Sequence, residues 1–200
     1  MKLTLIFTFF LTVGLLQAKE YTVKRDLTAN IYNEFLKTLT EQEMRLQYDT
    51  ELGTFLWYVD YMMFPIAVRF TDTVRHELYR QIQKYKEWNM HASRRGVELD
   101  KEIGRLPPTE VYFKYGDSWE KDSRCTIRIQ FFSQNTQRHQ LVVIFETLQS
   151  DYNEFITHSP DALYFWRTEV TSFEAAISDE AVRQYMEEVQ RQQSIEEEFE

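Results

Sequence analysis

An α+β fold is predicted: a mostly antiparallel twisted sheet of about six or seven strands, with helices packed mainly on one face. Three observations predict it. Between Thr109 and Leu148 the segments Val111–Tyr115, Cys125–Phe131 and Leu141–Phe145 are separated by connectors rich in Gly, Asp, Asn and Ser. In the middle one Cys125, Ile127, Ile129 and Phe131 alternate with Thr126, Arg128 and Gln130, and a strand's period of two sends the sets to opposite faces. Second, Val74, Leu78, Ile82, Tyr85, Asn89 and Ala92 recur every three or four residues, an amphipathic helix that must cover a sheet face. Third, the predicted order is helix, strands, helix, strands, helices, which leaves few long crossovers of the βαβ kind and favours antiparallel pairing.

Taken in order, the chain opens with Lys2, an uncharged run from Leu3 to Leu16, and Gln17-Ala18 before the charged Lys19-Glu20. A basic start, a short apolar stretch and a small residue before a polar change describe a secretory signal peptide, 1–18, cleaved after Ala18. The rival reading, an uncleaved membrane anchor, is opposed by length, since a span needs about 20 apolar residues. No stable membrane span is expected after cleavage.

Asp26 is placed to cap a helix in which Leu27, Ile31, Phe35 and Leu39 recur every fourth residue. Thr40-Glu41-Gln42-Glu43 has the form of a capping box, but Met44, Leu46 and Tyr48 alternate with Arg45, Gln47 and Asp49, which favours a strand. Asp49–Gly53 then reads as a hairpin connection to the aromatic strand Phe55–Val59. Pro65 suits the start of another strand, Ile66–Phe70. Thr71-Asp72 supplies cap chemistry for the long helix, and Gly96 supplies its stop.

A short helical turn is expected over Glu98–Ile103, with Gly104 and Pro107-Pro108 ending helical structure. Gly116–Ser123 and Ser133–Arg138 are read as connectors of the central meander. Asp151–Pro160 reads as a loop and Ala162–Trp166 as a last strand. Val170, Phe173 and Ile177 form a helical stripe, and Ser178 can cap a further helix carrying Val182, Tyr185 and Val189. The expected organisation is one domain over residues 19–193, followed by an acidic, mobile tail over 194–200.

Composition restricts function. A net charge of −9 disfavours nucleic-acid partners, because an acidic surface repels phosphate backbones. The only thiol, Cys125, rules out an internal disulfide, and its place among alternating apolar residues makes it a small buried hydrophobe. A signal peptide with a full-sized, disulfide-free core suits a bacterial periplasm.

No motif for a nucleophile elbow, a phosphate loop or a Cys/His metal site is present, so neither cofactor nor metal is expected. Asp72 and His76 are acid/base candidates because a helix start brings them together with Arg69. The competing reading has Asp72 capping the helix and Arg69 balancing its charge. Asp60, among Trp57, Tyr58 and Tyr61, is a candidate for a raised pKa or for ligand binding.

With 15 Phe, 12 Tyr and 4 Trp, a sheet face could receive a sugar, lipid or peptide, and Trp57, Tyr112, Tyr115, Trp119, Tyr164 and Trp166 are the residues in question. The competing reading packs those rings against the helices. The expectation is a secreted or periplasmic envelope protein acting as a non-enzymatic interaction module whose exposed sheet face or edge engages an unidentified envelope protein. The alternatives are a periplasmic small-ligand binder with a pocket between helix and sheet, and a hydrolase-like enzyme using Asp60, Asp72 and His76.

Overall fold

Apolar alternation organises the structure, a computed structural model that describes residues 19–61 and 64–199. The expected signal segment, 1–18, lies outside the described residues. Strands β1 (Glu20–Asn33), β2 (Thr38–Asp49), β3 (Thr54–Val59) and β4 (Ile66–Phe70) form an antiparallel meander, followed by helix α1 (Asp72–Arg95). Next come β5 (Asp100–Arg105), β6 (Thr109–Tyr115), β7 (Ser118–Cys125), β8 (Ile127–Asn135) and β9 (Arg138–Phe145). A small ladder of β10 (Leu148–Gln149) with β11 (Thr157–His158) precedes β12 (Leu163–Phe165), α2 (Arg167–Ala176) and α3 (Asp179–Glu197).

Ten strands make one sheet in the order β5-β8-β9-β12-β1-β2-β3-β4-β6-β7, and every neighbouring pair is antiparallel. This exceeds the six or seven strands expected. β7 is the last strand in that order and β8 the second, yet only Thr126 separates them in the chain. The sheet therefore has to curl until its ends meet. Backbone bonds from Leu106 N to Ile127 O (2.9 Å), Glu146 N to Thr126 O (3.1 Å) and Asp151 N to Lys121 O (2.7 Å) hold that corner.

Inside the curl lies one core. Leu27, Met44, Trp57, Val68, Phe113, Ile129, Val143 and Phe165 from the strands join Leu78, Ile82 and Tyr85 of α1 and Phe173 of α2. Trp57 is at its centre, fully buried, with its ring centre 4.8 Å from that of Phe173 and its Nε1 donating to Met44 Sδ at 3.3 Å. α1 starts where Thr71 Oγ1 accepts from Val74 N and stops at Gly96, whose φ of 62° is the left-handed conformation glycine tolerates.

Several expectations are corrected. No helix forms over Leu27–Leu39: these residues are the β1–β2 hairpin. A spacing of four is also a multiple of two, so Leu27, Ala29 and Ile31 serve a strand equally well. Asp26 is not a cap but a positive-φ residue (61°) at the irregularity between Lys24 and Leu27. Glu98–Ile103 is not helical, since β5 pairs with β8 and turns Ile103 into the core.

The supposed connector Gly116–Ser123 is only a tight turn at Gly116-Asp117, because Ser118 onward is the polar edge strand β7. Cys125 closes β7 instead of opening β8, although it is buried as expected. Residues 194–197 of the acidic tail form the last turn of α3, where Glu196 pairs with Lys19 and accepts from the Tyr21 hydroxyl at 2.6 Å.

Candidate functional site

The acid/base candidates do not converge. Asp60 pairs with Arg45, whose guanidinium lies 4.5 Å from the Tyr58 ring centre. Asp72 faces Arg75 at 3.2 Å, and the helix cap is Thr71, not Asp72. Arg69 balances Glu110, at 3.0 Å, rather than Asp72. His76 meets a different carboxylate, Asp179, at 2.9 Å, and both groups are exposed to solvent instead of forming the floor of a cleft. Hydrogen bonds from His76 and Arg75 hold the Asp179 carboxyl below its ordinary range. This cluster ties the start of α1 to the start of α3.

The aromatic candidates separate by strand parity. Trp57 faces inward and is core. Tyr58, Tyr112 and Trp119 face outward and line a small hollow of about 140 Å³ with Leu52, Leu56 and Ala67. The polar ends there are already used: Tyr58 donates to Glu20 and Tyr112 to Glu110, both at 2.9 Å. Burial, helped by Glu110, pushes the Tyr112 phenol up to about 12. Tyr115 is half-exposed near the Gly116 turn and lines none of these hollows.

Tyr164 and Trp166 line a different pocket of about 520 Å³. It lies between the far part of the β1–β2 hairpin, which gives Asn30, Tyr32, Lys37, Thr38 and Leu39, and the outer face of β8, β9 and β12, which gives Phe132, Gln134, Arg138, Gln140 and Tyr164. Pairing fixes the row, since Phe132 stands opposite Gln140, Val142 opposite Tyr164, and Tyr164 opposite Asn30. Phe132 and Tyr164 meet edge to face at 6.4 Å, and the Arg138 guanidinium lies 5.3 Å from the centre of the Trp166 ring. Burial raises the Tyr164 phenol, with Asp100 and Asp161 adding to the effect.

Gln140 is the buried polar group of this pocket. It is 2% exposed, and its Nε2 has no hydrogen-bond partner among the described residues. An unpaired buried amide costs about 1–3 kcal/mol, which a ligand acceptor would recover once the covered Nε2 turned toward the pocket. Compared with known proteins, the chain matches no family model, no curated protein and no solved structure. The site therefore stands on its own geometry.

Two other recesses are less equipped. A cleft of about 740 Å³ between α1 and α2 has charges of both signs, and its Lys86 is engaged by Glu174 at 2.9 Å. A hollow of about 400 Å³ under α3 is lined by Tyr48, Phe55, Phe70, Val182 and Met186 at the margin of the core, and its charged residues are already paired, Arg69 with Glu110 at 3.0 Å, although the Arg69 Nε is unpartnered, and Asp72 with Arg75 at 3.2 Å. No group of three or more potential metal ligands occurs among the described residues, and no described helix is long and apolar enough to cross a membrane.

Sequence reasoning reached Tyr164 and Trp166 but not Asn30, Tyr32, Phe132, Arg138 or Gln140. Parity was the available signal. On β8, β9 and β12 the core takes Phe131, Leu141 and Phe165, so the alternate positions Phe132, Gln140 and Tyr164 must share the other face.

Proposed function

We propose that the mature chain is a non-enzymatic binding module, exported to a bacterial envelope or secreted, that receives a small polar ligand on its outer sheet face. The observation that carries this reading is the unpartnered Gln140 amide in a pocket walled by Tyr32, Phe132, Tyr164 and Trp166. Aromatic walls with a few fixed polar groups are the usual make-up of small-molecule sites, and about 520 Å³ falls within their size range. The leader-like run from Leu3 to Leu16 supports export.

The test is a thermal-shift screen of the chain from Lys19 onward against sugars, lipid headgroups and short peptides, repeated on Trp166→Ala. A ligand that raises the melting temperature of the parent but not of the variant supports the reading. A shift unchanged in Trp166→Ala contradicts it. One observation favours a second reading, in which another envelope protein docks on the hairpin tip: Phe35 is 97% and Leu36 65% exposed there. Pull-down from an envelope fraction that depends on Phe35 and Leu36 but not on Trp166 would select that alternative.

A further inference from the structure

The pocket's charges specify its ligand beyond size and polarity. Although the whole chain is acidic and Asp100 and Asp161 lie near enough to act on Tyr164, the charged residues lining this pocket are Lys37 and Arg138, and no carboxylate lines it. Lys37 pairs with Glu34 at 2.8 Å, whereas Arg138 makes no ion pair among the described residues and rests on the Trp166 ring. A guanidinium held against an aromatic face keeps its planar donor fork free for a carboxylate.

The neutral groups restrict the ligand further. Gln140 offers a buried donor. Asn30 spends one donor on Tyr164 O, at 3.3 Å, and keeps its amide oxygen as an acceptor. Donors and acceptors set between aromatic walls match a molecule with hydroxyl groups around its edge and C–H bonds on its faces. An acyl chain would leave these amides unpaired, and a bare anion would leave the rings uncovered.

Building on the binding-module reading above, we infer that this pocket takes an acidic saccharide, a pyranose packed against Tyr164 and Tyr32 with its carboxylate on Arg138, which Trp166 holds in place, and hydroxyl groups on Gln140 and Asn30.

The experiment is calorimetric titration of the chain from Lys19 onward with glucuronate- and galacturonate-containing oligosaccharides. Their methyl esters serve as neutral counterparts, and acetate and phosphate as bare anions. The acidic oligosaccharides are expected to bind saturably, with affinity falling about tenfold or more on methyl esterification and in Arg138→Gln. Gln140→Leu is expected to weaken acid and ester alike, and the bare anions to give no saturable binding.

Equal affinity for acid and ester, or insensitivity to Arg138→Gln, overturns the inference while leaving the binding-module reading in place. So does saturable binding of acetate or phosphate as tight as that of the oligosaccharide. If no saccharide binds but the thermal-shift screen yields a Trp166-dependent ligand, the inference alone fails. If neither finds a ligand, both fail. Arg138 is exposed at the start of β9, so Arg138→Gln should melt like the parent.

Discussion

The Arg75 guanidinium, only 6% exposed, lies 2.7 Å from the Asp179 carboxylate. Its Nη1 also donates to Ile177 O at 2.9 Å, so one side chain of α1 holds the end of α2 and the start of α3. Arg75→Gln should therefore destabilise the fold by about 1–3 kcal/mol through the lost buried bonds. Asp179→Asn should cost far less, because that carboxylate is solvated. Urea midpoints for the two variants, at unchanged m-value, check the ranking.

Gly96 ends α1 with φ +62°, and a Cβ there would meet nothing within 4 Å. Only the backbone would resist a side chain. Gly96→Ala is expected to cost about 1 kcal/mol. A larger loss by chemical denaturation would mean that the turn serves something besides the helix stop.

Cys125 is 3% exposed, and burial pushes its thiol up to about 12, with Asp122 and Glu146 adding to the effect. A thiol so protonated and covered is a poor nucleophile. Native protein at mildly alkaline pH should resist alkylation, and protein in urea should react with one equivalent. Fast alkylation of the native form would contradict the burial.

His158 lies beside Phe113 and Phe64, and His139 beside Phe131; burial holds both imidazoles below 6.5. An unfolded histidine takes up its proton near 6.5, before the folded one does, so the unfolded state binds more protons in that interval. Stability is then full above 6.5 and is lost as pH falls toward the folded values. The melting temperature should drop between about pH 7.5 and about pH 5.5, and His158→Phe should flatten the drop. An equally steep profile in the variant would assign the effect elsewhere.

Much of this was legible locally. Thr71 and Gly96 bracket α1, Ser178 caps α3, and the alternation in β8 marks a strand of an antiparallel sheet. Signals serving two periods were not. Leu27, Ile31, Phe35 and Leu39 satisfy a helix as well as a strand, and only pairing with β2 and β12 decides between them. β7 read as a connector because Glu120, Lys121, Asp122 and Ser123 stand on an edge strand, where polar side chains meet water. The pocket was illegible for a further reason: Lys37 and Gln140 are far apart in sequence and become neighbours only when the hairpin and the strand β9 close on it.

Amide chemical-shift mapping of the chain from Lys19 onward during titration with an acidic oligosaccharide tests the site most directly. Perturbations concentrated at Asn30, Tyr32, Phe132, Gln140, Tyr164 and Trp166, and absent from His76 and Asp179, are the expected result. Shifts confined to the α1–α2 cleft around Lys86 and Arg167, with the Gln140 side-chain amide unmoved, would contradict binding on the outer sheet face.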